Sequence, residues 1–259
     1  GPFFAGVAAE YYMSLGGDGD TAAAQAQTLW AWGMAIAGLL IAFGAPVMGA
    51  YADTSGNRRP WIILFSVMYV IGSAALWFTA TDGSNLYWML AFFAFGFIGA
   101  EYALIFFYAQ LPDLGTEQEI GQISGSGFAF GYAGGLLALA ILLVFFAEQG
   151  NGKTLVGFDP GLGLLDAGQR EGTRAVGPIT ALWYIVFMIP YFRWVKMPVV
   201  ATKHSSTADA LRVLGKSIRD LKHRISLSAF LGGSMFYLDA LNGLYTFGGI
   251  YAKGVLGWP

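Results

Sequence analysis

The sequence predicts an all-α protein, a polytopic bundle of helices that crosses a lipid bilayer several times. Of its 259 residues, 56% are hydrophobic and only 12% are charged, whereas soluble domains carry about 25% charged residues. A hydrocarbon core about 30 Å thick needs roughly 20 apolar residues in a helix. Several continuous apolar runs reach that length. Open strands are excluded, because backbone groups in lipid must find partners within their own segment.

The apolar runs divide the chain into seven helices. The first run is too short to span and is interpreted as the remainder of a truncated helix. The chain has no initiator Met and stops just after an apolar run, so we expect an internal fragment of a longer polypeptide. The predicted helices cover residues 1–13, 28–52, 61–80, 86–111, 124–147, 176–195 and 227–251.

Two long connectors separate these runs. Residues 148–175 are rich in glycine and weakly apolar, which is typical of an external loop. Residues 196–224 are basic and predict an amphipathic cytoplasmic helix whose basic face lies near anionic headgroups. Its apolar positions share one helical face; they are Leu211, Leu214, Ile218 and Leu221.

The second connector also predicts the domain organisation. Residues 1–195 would form a six-helix half, 196–224 a basic linker, and 225–259 the first, truncated helix of a second half. The lysines and arginines give the orientation, because cytoplasmic loops carry an excess of them. If loop 53–60 is cytoplasmic, the inside loops hold ten basic residues and the outside loops four: Lys153, Arg170, Arg174 and Lys253.

A charged turn interrupts the apolar sequence in the stretch GAYADTSGNRRPW. It places Gly49, Asp53, Gly56, Arg58 and Arg59 in the order Gly, three residues, Asp, two residues, Gly, then basic residues. Gly49 permits close approach of helices, and Gly56 permits a tight reversal. Asp53 can accept from the free N–H groups and positive dipole of a facing helix end. The arginines are expected to stay in water at the cytoplasmic face.

This turn is similar to the loop signature of the major facilitator superfamily. Further stretches resemble its vacuole-effluxer-like branch, also called the unknown major facilitators: LWAWGMAIAGLLIAFGAPVMGAYAD, FFYAQLPDLGTEQEIGQISGSGFAFGYAGG, ITALWYIVFMIPYF and LDALNGLYTFGGIYAKGVLG. The resemblance implies a major facilitator fold of two six-helix halves, of which this chain holds the N-terminal half and about one more helix. It also implies that the turn is a gating motif whose partner helix lies in the second half. Fungal members are associated with amino-acid efflux from the vacuole.

Three carboxylates within the apolar runs are candidates for proton coupling, because ionisable groups in a bilayer are costly and require a reason. Asp239 stands three residues before Asn242, so the two share one helical face. Glu101 lies within the fourth predicted helix, and Glu10 lies near the external end of the first. Each has a structural alternative: a polar contact between helices for Asp239 and Glu101, and interfacial water for Glu10.

Residues 121–135 carry glycines four positions apart, among them Gly127, Gly131 and Gly135. Small residues at that spacing favour close packing of helices in membranes. Such a face is usually structural, but a transporter that rocks also needs smooth contacts that slide. We therefore expect this helix to pack closely on a neighbour.

These observations predict a secondary active transporter of a small solute, possibly amino acids, that works by alternating access as a symporter or antiporter. The alternatives are a receptor or scaffold on a transporter fold and, less favoured, a membrane-embedded enzyme. The chain has no cysteine and a net charge of −2, so no thiolate metal site, cofactor or nucleic-acid partner is expected. The expected partners are the solute and membrane lipids, and we expect a monomer in a bacterial inner membrane.

Overall fold

The computed structural model describes residues 2–54, 56–195 and 207–254. The chain forms two compact units, Gly1–Ser205 and Ser206–Pro259. Within the described residues all regular structure is helical, so the predicted all-α fold is confirmed. Among the described residues, five helices are long and apolar enough to cross a bilayer: Gly19–Ala52, Arg59–Phe78, Leu86–Asp113, Ile120–Phe145 and Glu171–Trp194.

The α-helices follow the predicted order with shifted boundaries. The first unit contains α1 (Pro2–Ser14), α2 (Gly19–Thr54), α3 (Arg59–Ala75), α4 (Leu86–Tyr108), α5 (Ile120–Phe145) and α6 (Glu171–Trp194). The second unit contains α7 (Thr207–Leu221) and α8 (Ile225–Gly254). We call the end of the first unit that carries Arg58, Arg59 and Arg193 the inner end, and the opposite end the outer end.

Helix α2 is longer than the apolar run that predicts it. Its 36 residues measure about 54 Å at 1.5 Å per residue, well beyond a hydrocarbon core of about 30 Å. Gly33 of α2 lies against Leu90, near the start of α4, so the first turns of α2 extend past the outer end of α4. They pack against α1, and Ala26 shares a buried cluster with Phe4 and Val7.

Glycine brings the backbones of α3 and α4 into direct contact. A Cβ added to Gly72 would lie 2.5 Å from the Cα of Gly96, and one added to Gly99 would lie 2.8 Å from the carbonyl oxygen of Phe65. Helix α6 approaches the other side of α3 in the same way, with Gly177 against the carbonyl of Ser73. Without a hydrophobic driving force in lipid, such close packing supplies much of the attraction between helices.

Aromatic residues fill the space between these helices toward the inner end. The Trp61 and Phe106 rings stack at 5.8 Å, and the Phe65 ring lies 5.2 Å from that of Tyr102. Tyr102 also donates a hydrogen bond to the carbonyl of Leu40 on α2, at 2.8 Å. These contacts fix α2, α3 and α4 relative to one another.

Helix α5 stands apart from the other helices of its unit. None of the residues of α5 is buried. Nothing in the described structure lies within 4 Å of a Cβ added to Gly127, Gly131 or Gly135. Within the described residues no helix packs closely on this glycine face, so the close packing stays a prediction. The small side chains of α5 line an open surface instead.

The outer loop between α5 and α6 is folded rather than extended. Its chain turns back through a hydrogen bond from Gln149 N–H to the carbonyl of Lys153, at 2.7 Å. Glu148 accepts a hydrogen bond from the backbone N–H of Thr173 at 2.9 Å, which ties the loop to the first turn of α6. Together with the ends of α3 and α5, the loop borders a cavity of about 650 Å³ whose lining includes Trp77 and Leu165.

The glycine contact between α3 and α4 gives a direct test of this packing. Gly72→Ala places a methyl group against backbone atoms of Gly96, and overpacking of this kind costs about 1–3 kcal/mol. We expect a clearly lowered thermal unfolding temperature in detergent. Gly131→Ala is the matched control, since its Cβ meets nothing within 4 Å. Equal unfolding temperatures for the two variants would contradict the packing described here.

Candidate functional site

Arg58 is the centre of a cluster of contacts at the inner end. Its Nε donates a hydrogen bond to the carbonyl of Ala52 in the last turn of α2, at 2.8 Å. Its Nη1 pairs with the carboxylate of Asp113, in the short helical turn Leu111–Asp113 that follows α4. One guanidinium therefore joins the ends of α2 and α4, and it also satisfies a carbonyl that the end of α2 leaves without a helical partner.

Arg59 makes the corresponding contact with α6. Its Nη2 donates to the carbonyl of Phe192 at 3.0 Å, and its guanidinium lies 5.9 Å from the Phe192 ring centre. The side chain of Asn57 shapes the turn by accepting from the Arg59 N–H at 3.1 Å. Arg59 is exposed and Arg58 is half-buried; in addition, each arginine binds a neighbouring helix end, where carbonyls and a carboxylate lie within reach.

A third contact closes the cluster between α4 and α6. The Tyr191 hydroxyl donates to Oε1 of Gln110 at 2.8 Å, and Gln110 is almost fully buried. We call Arg58, Arg59, Gln110, Asp113 and Tyr191 the inner-end cluster. The sequence analysis did not predict a role for Gln110, Asp113 or Tyr191. Asp113 is 55 positions from Arg58 in the sequence, and the only sequence signal near it is the Pro-Asp pair that follows α4.

The other three residues of the predicted gating motif are Gly49, Asp53 and Gly56. A Cβ added to Gly49 would lie at an ordinary 4.0 Å from Ile105, so the described neighbours do not require glycine there. The tight approach of α2 to α4 occurs instead at Gly44, where an added Cβ would collide with the Tyr102 hydroxyl. Gly56 lies in the bend between α2 and α3. The side chain of Asp53 lies outside the described residues.

Glu101 occupies the face of α4 that is turned away from α3. Gly96, Gly99 and Ala103 pack on α3, whereas Glu101 shares its face with Leu104 and Tyr108 at the i+3 and i+7 positions. Leu104 is 42% exposed and Tyr108 is 49% exposed. Glu101 itself is partly buried and has no hydrogen-bonding partner among the described residues. The carboxylate therefore stands on the open side of the bundle.

The same face of α4 leads to a groove toward the inner end. The groove has a volume of about 570 Å³, with Tyr108 and Leu111 on one wall and the glycine face of α5 on the other. The Tyr108 and Phe128 rings stack across it at 6.2 Å. Where α5 begins, the backbone N–H and hydroxyl of Thr116 donate to Glu119 and hold the pKa of that carboxyl below its ordinary value.

Glu10 lies at the outer end of the bundle rather than at mid-depth. It is exposed, and the next residue, Tyr11, lies against Gly83 in the turn that precedes α4. Because that turn follows the outer end of α3, the Glu10 carboxylate is placed where interfacial water can reach it. This position matches the structural alternative for Glu10 and separates it from Glu101.

Asp239 and Asn242 lie in the second unit, on α8. Both are exposed, and their spacing of three residues places them on one side of the helix. Thr246, next on the same side in sequence, has a side chain outside the described residues. The apolar neighbours of Asp239 on α8, such as Phe236 (71% exposed) and Leu238 (55%), are also uncovered.

A second cavity, of about 370 Å³, opens between α1, α2, α3, α4 and α6 near the outer end. Its lining is aromatic and includes Phe4, Trp30 and Phe93, with Arg174 as a cationic group. The Arg174 guanidinium lies 5.2 Å from the Trp77 ring centre, and its Nε donates to the Trp77 carbonyl at 2.9 Å. Within the described part of the chain, no group of acidic, histidine or cysteine side chains could hold a metal ion.

The Arg58–Asp113 pair can be measured with a double-mutant cycle. Its side chains are 22% and 38% exposed, so we expect a coupling of about 0.2–1 kcal/mol that weakens with added salt. Arg58→Gln should destabilise more than Asp113→Asn, since it also removes the bond to the Ala52 carbonyl. The measurement is thermal unfolding in detergent at low and high ionic strength. Strictly additive effects of the two changes would contradict the pairing.

Comparisons with known proteins agree with this helical membrane bundle. The family described as Vacuole effluxer Atg22 like matches residues 23–259. A relative from Bacillus subtilis (strain 168), described as the uncharacterized MFS-type transporter YxiO, is 23% identical over 248 residues, which are 94% of this chain and 54% of the relative. The chain thus spans about half the length of this curated relative, and no solved structure matches it significantly. Since the family match covers most of the sequence, this multi-pass membrane chain belongs to the Atg22-like vacuole effluxer family.

Proposed function

We propose that this chain supplies one half, and the first helix of the next, of a secondary active transporter that moves a small solute by alternating access. Two findings support the proposal: membership of an effluxer family, and a relative about twice as long whose printed name is MFS-type transporter. In such proteins two repeats rock against each other around a site near the middle of the membrane.

The observation that carries the proposal is the open face formed by α4 and α5. It combines a partly buried carboxylate, Glu101, with glycines at which an added Cβ would meet no described atom within 4 Å. A charged group facing lipid costs about 2.5–3.5 kcal/mol at the centre of a helix. A protein half or an aqueous cavity would cover this face at lower cost, and a solute path between two halves supplies both.

The inner-end cluster suits the other requirement of alternating access, which is that each half moves as a rigid body. Arg58 and Arg59 bind the ends of α2, α4 and α6 through side-chain contacts to Asp113 and Phe192. These contacts lie within one unit, so they persist while the unit rotates. We propose that the gating role of the motif belongs to Asp53 and a helix of the second half.

Proton coupling in this proposal uses Glu101 and Asp239. Each carboxylate lies in a helix of a membrane protein, and neither has a described partner to neutralise it. Protonation removes the charge and with it the cost of moving the group between water and an apolar contact. A cycle of protonation and release at these groups would link solute movement to the proton gradient. The proposed solutes are amino acids, which the resemblance to the fungal members of the family suggests; the family's description names efflux and no solute.

Substitution of the two carboxylates tests the coupling. In sealed vesicles that contain the full-length transporter, we expect Glu101→Gln and Asp239→Asn to lower proton-driven flux at least tenfold, while exchange of solute without a gradient is retained. Glu117→Gln is the matched control, because Glu117 is exposed in the loop between α4 and α5. Flux at the level of the unsubstituted protein in both variants would refute the coupling.

The glycine face of α5 provides a separate test of the two-half arrangement. Gly131→Leu should leave the thermal unfolding of this chain unchanged, since a Cβ there meets nothing within 4 Å. In the full-length transporter we expect the same change to abolish flux by blocking the contact between halves. Unaltered flux would show that lipid covers this face.

A receptor or scaffold on a transporter fold is the second candidate function. It is favoured if the full-length protein binds amino acids, measured by thermal shift, without any flux across sealed vesicles. The open carboxylate face does not distinguish binding from transport, whereas flux does. The coupling experiment therefore begins with the unsubstituted protein, where absence of flux for every solute bound would replace transport with this candidate.

A further inference from the structure

Helix α7 has its apolar and charged residues on opposite sides. Leu214, Ile218 and Leu221 follow one another at spacings of four and three and share one face. Lys216 and Arg219 lie on the other side and are exposed. Within this unit Ile218 is 57% exposed, whereas Leu214 and Leu221 are half-buried, so the apolar face is only partly covered.

A tight corner joins α7 to α8. Three consecutive backbone N–H groups, those of residues 222–224, donate back to the carbonyls of Arg219, Asp220 and Leu221 at 3.0–3.3 Å. The Ser228 hydroxyl, in the first turn of α8, donates to the carbonyl of Leu221 at 2.7 Å. The end of α7 is therefore held against the start of α8, and α7 cannot move far from it.

Helix α8 is long, and much of its described surface is apolar. Its 30 residues measure about 45 Å, more than a hydrocarbon core of about 30 Å requires. Phe230, Met235, Phe236 and Leu244 are each more than half exposed. A helix with so much exposed apolar surface belongs in a lipid or protein interior, and its polar side carries Asp239 and Asn242. The corner at residues 222–224 then lies where α8 enters the bilayer.

We propose that α7 is an interfacial helix that binds the anionic surface of the cytoplasmic leaflet, with Leu214, Ile218 and Leu221 inserted among the acyl chains. Its 15 residues measure about 22 Å, too short to cross the membrane. The corner keeps it at the surface, where its apolar face finds lipid. This inference concerns a lipid-binding surface and does not depend on transport.

Charge identifies the lipid class. Residues 207–224 hold five basic side chains against two acidic ones: Arg212, Lys216, Arg219, Lys222 and Arg224 against Asp209 and Asp220. Long basic side chains extend to headgroup phosphates while their methylene stems stay on apolar surface. Anionic headgroups attract such clusters more strongly than zwitterionic ones do. The bound lipid is therefore a phospholipid with a net negative headgroup.

The absence of cysteine from the chain allows a test with single thiols. Ile218→Cys and Asp220→Cys, two residues apart on opposite sides of α7, are compared in nanodiscs that contain phosphatidylglycerol. We expect a water-soluble maleimide to modify Ile218→Cys at least tenfold more slowly than Asp220→Cys. Leu214→Cys repeats the measurement on the same apolar face. Equal rates on the two faces would overturn the proposal.

A second measurement shows whether lipid or another protein segment contacts the apolar face of α7. Bimane attached to Ile218→Cys should lose at least half of its fluorescence when the acyl chains are brominated, whereas bimane at Asp220→Cys should not. A slow maleimide reaction at Ile218→Cys without this quenching would place another protein segment on the face and overturn the proposal.

The headgroup preference has its own control. In phosphatidylcholine nanodiscs, or with Lys216, Arg219 and Lys222 all changed to Gln, the protection of Ile218→Cys should fall at least threefold, and added salt should act in the same direction. Protection that is indifferent to lipid charge, salt and these substitutions would refute an anionic partner.

Discussion

The direct contact between the α3 and α4 backbones at Gly72 and Gly96 determines how the rest of the first unit assembles. Because two glycines meet, the helix axes lie close enough for Trp61, Phe65 and Phe106 to stack toward the inner end. The same approach leaves the other side of α3 available to α6, where Gly177 meets the Ser73 carbonyl. An apolar side chain gains little by leaving lipid for a contact with another helix. The shape of the helix surfaces and the closeness of the backbones therefore determine which helices pack together.

This packing divides the unit into a fixed part and an open part. Helices α2, α3, α4 and α6 are joined along their lengths and again by the inner-end cluster. Helix α5 contacts α4 through the Tyr108–Phe128 ring pair and the outer loop through the Phe145–Phe158 pair, while a Cβ added on its glycine face would meet no described atom within 4 Å. A bundle that needed to stand alone would gain by closing this face. The open face is thus the most informative surface of the unit for function.

Much of the fold was predictable because the spans follow from the lengths of apolar runs. The first turns of α2 were missed, since DTAAAQAQT is too polar to read as a membrane segment. Alanine and glutamine favour helix, and packing against α1 stabilises these first turns of α2. The close approach of α2 to α4 at Gly44 was not predicted, because the contact with Tyr102 depends on the register of α2 on α4, which neither sequence segment shows.

In the candidate site, too, polar contacts between distant segments could not be predicted from either segment alone. Arg58 was identifiable from its motif, but its partner Asp113 is distant in sequence and becomes a neighbour only when α3 and α4 are antiparallel and packed. Glu101 was identifiable as an ionisable group in an apolar run. Which face of α4 it occupies depends on where Gly96 and Gly99 meet α3, and so on the backbone contact described above.

In the first unit, the charged side chains of the inner-end cluster have partners, whereas Glu101 has none among the described residues. The motif arginines and Asp113 neutralise one another or the ends of helices at the inner end, where water and short distances make the pairing inexpensive. Glu101 has no such partner among the described residues and is partly buried, on the face of α4 that is turned away from α3. A stable structure would pair or exclude an ionised carboxylate there. The proposed proton coupling requires a group that gains and loses a proton, which a permanently paired carboxylate cannot do, and the isolation of Glu101 suits that requirement.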